Sequence, residues 1–583
     1  PGWDLPGFDD SRWDRVRFAD VAVVPEARTS PAVRAVEVVG VREVITTPSG
    51  ATVYDVGQNV VGRVLIRLRA AAGTVVTLRH AEVLEHGELG VRPLRAAAAT
   101  DSYTARGDET GETWEPAFTF HGFRYVEISG LPEPLGAEDV TAVVVHSDMR
   151  RTGWFTCSDP LLDRLHENVV WGMRGNFLSV PTDCPQRDER LGWTGDIQVF
   201  APTASFLYDS ASFLRSWLHD LALEQRAGGG VVPFVVPNVV ADALTPAAAW
   251  GDAATVVPSV VHERFGDLGV LRAQLPSMTA WCDVLAGLVG ENGLWVQDFQ
   301  FGDWLDPAAP PDDAGAALTS SDIVATAYVV RSADLTARAA RLLGESDAAE
   351  RYEALADQAR RGFREAYVRE DGTMTSDAQT AYALALEFDL VTDPAVRERL
   401  GARLTALVEE NGHRIGTGFV GTPIVADALT RTGALATAER LLLQTEVPSW
   451  LYPVTMGATT VWERWDSMLP DGTINPGEMT SFNHYALGAV ADWLHRTVAG
   501  LAPAEPGYRT IRIAPRPLSR LDHAQARLDT PYGPASVRWW REDGRVLVEA
   551  AVPPNAQGEV DLPGVAPVVV GSGTHRWELP AGG

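Results

Sequence analysis

The densest group of ionisable side chains lies in residues 182–196, TDCPQRDERLGWTGD, which hold four acids, two arginines and one tryptophan. Carboxylates that share a cavity have their pKa values pushed apart by their surroundings, so that one can donate a proton while another accepts one. A loop that aims Asp183, Glu189 and Asp196 into one cavity would therefore support acid–base chemistry. On a solvated surface the same residues would form only salt bridges. Acids make up 77 of the 583 residues, so composition leaves both interpretations open.

A second polar segment, residues 456–466, reads MGATTVWERWD and places Glu463 between two tryptophans, with Arg464 beside it. A carboxylate flanked by indoles is either one half of an interface salt bridge or a catalytic group next to an aromatic sugar platform. The segment by itself allows both interpretations.

Tryptophan usage narrows the chemistry. The chain has 18 Trp residues, and several stand beside acids in predicted loops, as in the WGD at Trp250 and the GDW at Trp304. Indole faces pack against the apolar faces of sugars, and carboxylates accept hydrogen bonds from sugar hydroxyls. Trp217 and Trp493, which lie at helical spacing, are instead predicted core residues. Two carboxylate-bearing loops with aromatic platforms point to glycoside hydrolysis.

Charge excludes several function classes. The net charge is −28, which argues against nucleic-acid binding and, unless arginines cluster locally, against a polyanionic substrate. All 49 basic residues are arginine, so mechanisms that need a lysine, such as a Schiff base or a P-loop, are excluded. No apolar run approaches the ~18 residues of a membrane-spanning helix, so no membrane partner is expected.

Cysteine and histidine usage indicates neither a disulfide framework nor a metal site. The three cysteines are scattered, and the 12 histidines form no HExxH motif. We therefore expect no metal and no cofactor. The low cysteine count and the lack of a visible leader favour a cytoplasmic over a secreted location. The sequence indicates nothing about oligomeric state.

Hydrophobic periodicity divides the chain into three structured regions. Residues 35–150 show short strand-like runs separated by turn residues and predict a β-sandwich. Residues 151–499 show helical spacing from the Ser-Asp-Pro start at 158–160 onward. Residues 500–583 return to strands and predict a second, smaller sandwich. Residues 1–34 are loop-like and are interpreted as the remnant of a preceding β domain.

The helical region predicts about a dozen helices joined by long loops rich in glycine, proline and aromatic residues. Among the predicted helices are residues 268–289, 321–343 and 481–495. This pattern fits an (α/α)6 barrel with its functional loops at one end. No convincing fixed-period repeat is present, so a solenoid is the weaker alternative. The predicted fold class is therefore multidomain α+β, with a central (α/α)6 barrel flanked by N-terminal and C-terminal antiparallel β-sandwiches.

Residues 183–196 closely resemble the hallmark motif of the family 78 glycoside hydrolases, the bacterial α-L-rhamnosidases. Residues 54–62 (YDVGQNVVG) and 120–127 (FHGFRYVE) are similar to the β-sandwich that precedes the barrel in that family. Residues 458–466 (ATTVWERWD) and 481–485 (SFNHY) are similar to its later barrel motifs. The resemblance extends over essentially the whole chain. Family members usually carry further β domains before this point, which agrees with the interpretation of the opening residues.

The resemblance implies inverting hydrolysis of terminal α-L-rhamnosyl residues from glycosides or oligosaccharides. Glu189 would be the general acid and Glu463 the general base, with carboxyl groups ~6.5–9.5 Å apart to leave room for a water. We expect apolar burial near Trp, with Asp188 or another acid nearby, to keep Glu189 protonated near neutral pH. The tryptophans would form the wall facing the C6 methyl group. The other implied substrate-binding residues are Asp183, Arg187, Trp193, Asp196, Trp250, Asp303, Trp304 and His484.

Other functions remain as alternatives. Another (α/α)6 glycosidase would use a similar pair of carboxylates. A lyase acting on acidic sugars would use a Tyr/His pair, for which His484 and Tyr485 qualify, but the acid-rich loop argues against a carboxylate-bearing substrate. A non-catalytic rhamnose-binding relative is disfavoured by the presence of both Glu189 and Glu463.

Overall fold

The structure is a computed structural model that describes residues 2–19, 24–25, 27–240 and 244–579. Up to Val33 the described residues form turns and irregular chain, with no strand. Part of the predicted N-terminal remnant (residues 1, 20–23 and 26) and the end of the predicted C-terminal sandwich (580–583) lie outside the described residues, as do loop residues 241–243.

The N-terminal β region forms an eight-stranded antiparallel sheet with strand order β1-β10-β3-β9-β4-β7, in which β2 and β8 also pair with β3. The 17-residue β3 pairs with four other strands along its length. Alternating Val and Ile residues from this strand fill the core of the region. The strands are β1 (Val33–Gly40), β2 (Glu43–Thr46), β3 (Thr52–Leu68), β4 (Val75–Ala81), β5 (Leu84–Glu85), β6 (Glu88–Leu89), β7 (Thr100–Thr104), β8 (Glu112–Trp114), β9 (His121–Ser129) and β10 (Val140–Ser147).

The middle of the chain is a helical barrel. Helices α2, α4, α6, α8 and α10 contact one another in order and are mostly buried, whereas α3, α5 and α7 pack outside them. The ring closes where α2 meets the 3₁₀ helix Ala486–Val490. The helices are α1 (Pro160–Asn176), α2 (Thr194–Leu207), α3 (Ala211–Ala227), α4 (Ala253–Phe265), α5 (Leu268–Leu288), α6 (Ser321–Leu343), α7 (Ser346–Tyr367), α8 (Gln379–Glu387), α9 (Pro394–Glu410), α10 (Val425–Arg431), α11 (Leu435–Leu442), α12 (Leu451–Thr455) and α13 (Ala491–Trp493).

Two sheets follow the barrel. One has the strand order β11-β16-β17-β18-β21 and the other β14-β15-β19-β20, while β12 and β13 form a short hairpin after α1. Strand β11 precedes the barrel in sequence but pairs with β16, so the C-terminal sheet includes a strand from before the helices. The strands are β11 (Gly153–Cys157), β12 (Phe177–Leu178), β13 (Val180–Pro181), β14 (Leu501–Pro503), β15 (Thr510–Ile513), β16 (His523–Thr530), β17 (Gly533–Glu542), β18 (Arg545–Val552), β19 (Gln557–Val560), β20 (Val568–Val570) and β21 (Gly573–Leu579).

The multidomain α+β fold with a central helical barrel is confirmed. Trp217 and Trp493 are both 1% exposed, as expected for core residues. The predicted continuous helix over residues 481–495 is wrong: residues 481–485 belong to a loop, and the helical turns after them change from 3₁₀ to α to π geometry. Among the described residues, none of the helices has the length and apolar character that crossing a bilayer requires.

Candidate active site

A cavity of about 130 Å³ opens at one end of the barrel, and nine of the ten site residues expected from the sequence line it. Segments that are far apart in the chain form the walls of the cavity, because they meet at the same end of the barrel. Its lining residues are Asp183, Arg187, Glu189, Trp193, Asp196, Trp250, Phe301, Trp304, Phe419, Glu463, Met479 and His484.

The acid-rich loop is held in shape by its own first carboxylate. The Asp183 backbone N–H donates to the Leu191 carbonyl, and the Leu191 N–H donates back to Asp183 Oδ1, both at 3.0 Å. The Cys184 thiol donates to Asp183 Oδ2 at 2.8 Å. Burial, reinforced by the nearby Glu189 carboxylate, raises the pKa of Asp183 to about 7. Asp183 therefore closes the loop as well as facing the cavity.

Arg187 is the electrostatic centre of the site, and its side chain is 1% exposed. Its Nη1 and Nη2 donate to the two oxygens of Glu463 at 2.7 and 3.1 Å, and its Nε donates to Glu189 Oε2 at 2.8 Å. Nη2 also lies 3.5 Å from Asp183 Oδ2. One guanidinium thus faces three carboxylates and holds them in fixed positions relative to one another.

The two glutamates approach each other on the Arg187 guanidinium. Nη2 of Arg187 is 2.5 Å from Glu189 Oε2 and 3.1 Å from Glu463 Oε1, so these two oxygens are at most about 5.6 Å apart. The predicted separation of roughly 6.5–9.5 Å refers to the carboxyl groups as a whole, and their nearest oxygens are closer than that. Arg187 causes this difference because it binds both carboxylates at once.

The expected apolar surroundings of Glu189 are also a wrong prediction. Its Oε2 accepts hydrogen bonds from Arg187 at 2.8 Å and from Arg95 Nη1 at 3.1 Å, so two guanidinium groups face it. Asp188 is exposed, and no hydrogen bond from a described residue reaches Oε1 of Glu189. That second oxygen is the part of Glu189 that is free to meet a ligand.

Glu463 is fixed by its backbone and by Arg187. Its N–H donates to the Ser481 carbonyl at 3.0 Å, which joins its loop to residues 481–485. Burial alone would raise the pKa of Glu463, but the Arg187 guanidinium, together with His484 and Arg95, outweighs burial and holds that pKa below its ordinary value. The flanking Trp462 and Trp465 pack into the protein interior and do not line the cavity, so of the two interpretations left open for this segment they do not support a sugar platform.

Asp196 and His484 form a buried pair across the cavity floor, with His484 Nε2 3.1 Å from Asp196 Oδ1. Asp196 lies in the first turn of α2. Burial raises the pKa of Asp196. Burial would lower the pKa of His484, but the Asp196 carboxylate outweighs that effect and raises it. The pair thus adds a buried carboxylate, which can accept hydrogen bonds from a polar ligand, to the lining of the cavity.

The opposite wall is aromatic and is organised by Phe301, a residue that sequence reasoning missed. Its ring stacks on Trp250 at 4.2 Å between centroids, and meets Trp193 and Trp304 edge-on at 5.9 and 5.5 Å. The Nε1 atoms of Trp193 and Trp250 are buried and have no hydrogen-bond partner among the described residues. The wall therefore combines an apolar surface with two unused N–H donors.

Asp303, the tenth expected residue, does not line the cavity. Its carboxylate accepts hydrogen bonds from the backbone N–H groups of Gly418, Val420 and Gly421 at 2.8–3.0 Å and from the Thr380 hydroxyl at 2.5 Å. These bonds fix the segment that presents Phe419 to the cavity. The GDW motif thus places Trp304 at the wall and Asp303 behind it.

The N-terminal sheet supports the site from outside the barrel. The Glu82 carboxylate accepts hydrogen bonds from Asn59 Nδ2 and from the Phe482 backbone N–H, both at 3.0 Å. Asn59 Nδ2 also donates to Thr460 Oγ1 at 3.1 Å. No spacing in the sequence predicts these contacts, because residues of the β region and of the barrel some 400 positions apart meet only when the domains pack together.

Two groups of side chains could in principle hold a metal ion: His80, Asp101 and His121, and Asp183, Cys184 and Glu189. The rings of His80 and His121 stack at 4.2 Å with a 22° interplanar angle, so a single ion cannot lie in both ring planes. In the second group the Arg187 guanidinium already neutralises the carboxylates. The geometry favours a metal at neither place.

Comparison with known proteins assigns these regions to one family. The bacterial α-L-rhamnosidase 6 hairpin glycosidase domain matches residues 150–498, which is more than half of the chain. The concanavalin-like domain of the same family matches residues 45–146, and its C-terminal domain matches residues 500–576.

Individual relatives support the same family assignment. The chain is 44% identical to an α-L-rhamnosidase of Streptomyces avermitilis over 99% of its length and 37% identical to one of Formosa agariphila over 97%, but it spans only 57% and 61% of those relatives. A native α-L-rhamnosidase structure from Aspergillus terreus superposes with a TM-score of 0.95 at 45% identity, covering 99% of this chain and 68% of that one. The S. avermitilis enzyme complexed with L-rhamnose superposes with a TM-score of 0.92 at 44% identity, covering 99% and 57%. The chain therefore belongs to the bacterial α-L-rhamnosidase family.

Proposed function

We propose that this chain hydrolyses terminal α-L-rhamnosidic bonds, using Glu189 and Glu463 as its catalytic pair. The observation that carries the proposal is the meeting of these two glutamates, joined by Arg187, in one cavity with an aromatic wall. The relatives are named α-L-rhamnosidases, and one was crystallised with L-rhamnose. A cavity of about 130 Å³ is below the roughly 300–1,000 Å³ of pockets for drug-sized ligands, which suits a single terminal sugar ring.

In this mechanism Glu463 is the general base. Because Arg187 holds its pKa below the ordinary value, Glu463 is a carboxylate at neutral pH and can take a proton from water. That water attacks the anomeric carbon as the bond to the leaving oxygen breaks. Glu189 gives a proton to that oxygen, and the proton must come from Oε1, since both arginines face Oε2.

Inversion at the anomeric carbon is part of the proposal and requires the two carboxyl groups to open to roughly 6.5–9.5 Å. The nearest oxygens are closer than this while Arg187 binds both. We therefore infer that Glu189 turns away from Arg187 when the sugar enters. The buried pair of Asp196 and His484 binds sugar hydroxyls, and the indoles face the ring and its methyl group.

We also propose that residues 151–499 are the catalytic domain, framed by β domains at 35–150 and 500–583. All twelve lining residues lie between Asp183 and His484, which supports this division. The N-terminal β domain contacts the site through Glu82, which accepts a hydrogen bond from the Phe482 N–H. It also contacts the site through Arg95, which donates to Glu189.

The direct test compares p-nitrophenyl α-L-rhamnoside hydrolysis by the wild type, Glu463→Gln and Glu189→Gln. Glu463→Gln should lose turnover and retain affinity for L-rhamnose, whereas Glu189→Gln should retain more activity on this activated substrate than on a disaccharide. Glu505→Gln, an exposed position outside the cavity, is the matched control and should behave as wild type. A folded wild type that binds L-rhamnose without turnover would instead indicate a sugar-binding relative.

A further inference from the structure

We propose that Arg95 of the N-terminal β domain is a positioning residue for Glu189, an inference that rests on the proposed function. Its Nη1 donates to Glu189 Oε2 at 3.1 Å, and its side chain is 22% exposed at the mouth of the cavity. No sequence motif points to Arg95, which lies about 90 residues before the acid-rich loop. The β domain thereby contributes a cation to the candidate catalytic acid.

The backbone at Arg95 is in a conformation that favours glycine. The residue follows the 3₁₀ turn Arg92–Leu94 and has φ 55° and ψ −119°. Its N–H donates to the Arg92 carbonyl at 3.1 Å, which closes the turn. A side chain in this region is strained, and strained positions recur where a functional group has to be aimed. At Arg95 the strain directs a guanidinium towards the barrel.

The guanidinium of Arg95 ties two loops of the site together. Its Nε and Nη2 donate to the Glu478 carbonyl at 3.2 and 2.9 Å, and Nη2 also contacts Met479 Sδ at 3.3 Å. Met479 and Glu189 both line the cavity. A single side chain therefore fixes the acid-rich loop relative to the loop that precedes His484.

The two arginines on Glu189 have different effects. Arg187 binds Glu189 and Glu463 together and draws the two carboxylates towards each other. Arg95 binds Glu189 and makes no hydrogen bond to Glu463 among the described residues. Arg95 can therefore hold Glu189 when it separates from Arg187, at the distance from Glu463 that a reacting water needs. Without Arg95, Glu189 would keep only its bond to Arg187, which also binds Glu463.

The test uses Arg95→Gly and Arg95→Lys with two substrates of different leaving groups. Glycine fits the backbone of Arg95, so Arg95→Gly should fold with a Tm close to that of wild type. Arg92→Ala is the matched control, because Arg92 lies in the same turn and donates to the Ile474 carbonyl at 2.6 Å without touching Glu189.

We expect Arg95→Gly to lose roughly tenfold or more in kcat on methyl α-L-rhamnoside, whose leaving group needs a proton, and much less on p-nitrophenyl α-L-rhamnoside. Arg95→Lys should fall between wild type and Arg95→Gly, and Arg92→Ala should match wild type.

Equal losses on both substrates together with a lowered Tm would assign Arg95 a purely structural role and overturn the inference. Wild-type rates in Arg95→Gly, beside an active wild type, would also overturn it and leave the proposed function intact. A folded wild type that cleaves neither substrate would overturn the proposed function and this inference with it.

Discussion

Glu82 makes the stability of this protein depend on pH in a way that one substitution can isolate. Its buried carboxylate accepts hydrogen bonds from Asn59 Nδ2 and the Phe482 N–H at the junction of the β domain and the barrel. Burial raises the pKa of Glu82 from its ordinary 4.5 to about 7. The native state therefore holds a proton on Glu82 at pH values at which the unfolded chain has released it.

The sign and size of the effect follow from this difference. Below pH 4.5 both states are protonated, and Glu82 contributes no pH dependence. Between pH 4.5 and about 7 the pKa difference of Glu82 lowers the free energy of unfolding by up to about 1.4 kcal/mol per pH unit, or about 3 kcal/mol in all. Above pH 7 this loss levels off. Glu82→Gln has the shape of the protonated acid and removes the titration.

The assay is urea unfolding of wild type and Glu82→Gln at pH 5 and pH 8, followed by tryptophan fluorescence. Relative to wild type, Glu82→Gln should gain about 2.5 kcal/mol on going from pH 5 to pH 8, because part of the loss has already occurred at pH 5. Glu505→Gln controls for the loss of a carboxylate as such. A wild-type-to-variant difference that is the same at both pH values would refute the reasoning, because Glu82 would then titrate alike in the folded and unfolded chains.

Two further substitutions test the cavity itself. Arg187→Met should raise the pKa of Glu463, which moves the acid limb of the kcat/KM pH profile to higher pH, and should lower the free energy of unfolding by roughly 3–5 kcal/mol. Arg190→Met is the control and should leave that limb in place, because the Arg190 guanidinium donates to a backbone carbonyl. An unmoved limb in Arg187→Met would contradict the role of Arg187. Phe301→Ala should raise KM about tenfold with less change in kcat, because the indole wall loses its central ring. Phe118→Ala, at an exposed position outside the cavity, is the control and should leave KM unchanged. Matching KM values for the two variants would show that the wall does not depend on Phe301.

Periodicity and capping signals are local, and for that reason they predicted the long helices well. The helix expected over 321–343 is Ser321–Leu343, and the one expected over 268–289 is Leu268–Leu288. The interrupted turns around Ala486–Val490 were not predicted, because their apolar spacing also fits a regular helix. The pairing of β11 with β16 was missed because it joins strands about 370 residues apart.

The candidate site shows the same difference between local sequence signals, which could be predicted, and long-range contacts, which could not. Nine of the residues that the motifs singled out line one cavity, because each motif carries its own polar or aromatic residues. Asp303 was expected at the cavity, yet its four hydrogen bonds to residues 380–421 form only when the loops pack. Arg95 and Glu82 were missed for the same reason, since only domain packing brings them to the site.

The central claim, hydrolysis by Glu189 and Glu463 with inversion, is tested most directly by ¹H NMR of a rhamnoside during cleavage by wild-type protein. Inversion at the anomeric carbon predicts that β-L-rhamnose forms first and that the α anomer follows by mutarotation. Initial formation of α-L-rhamnose would mean retention, which suits carboxyl groups about 5–5.5 Å apart, and would contradict the assignment of Glu463 as a base acting through water.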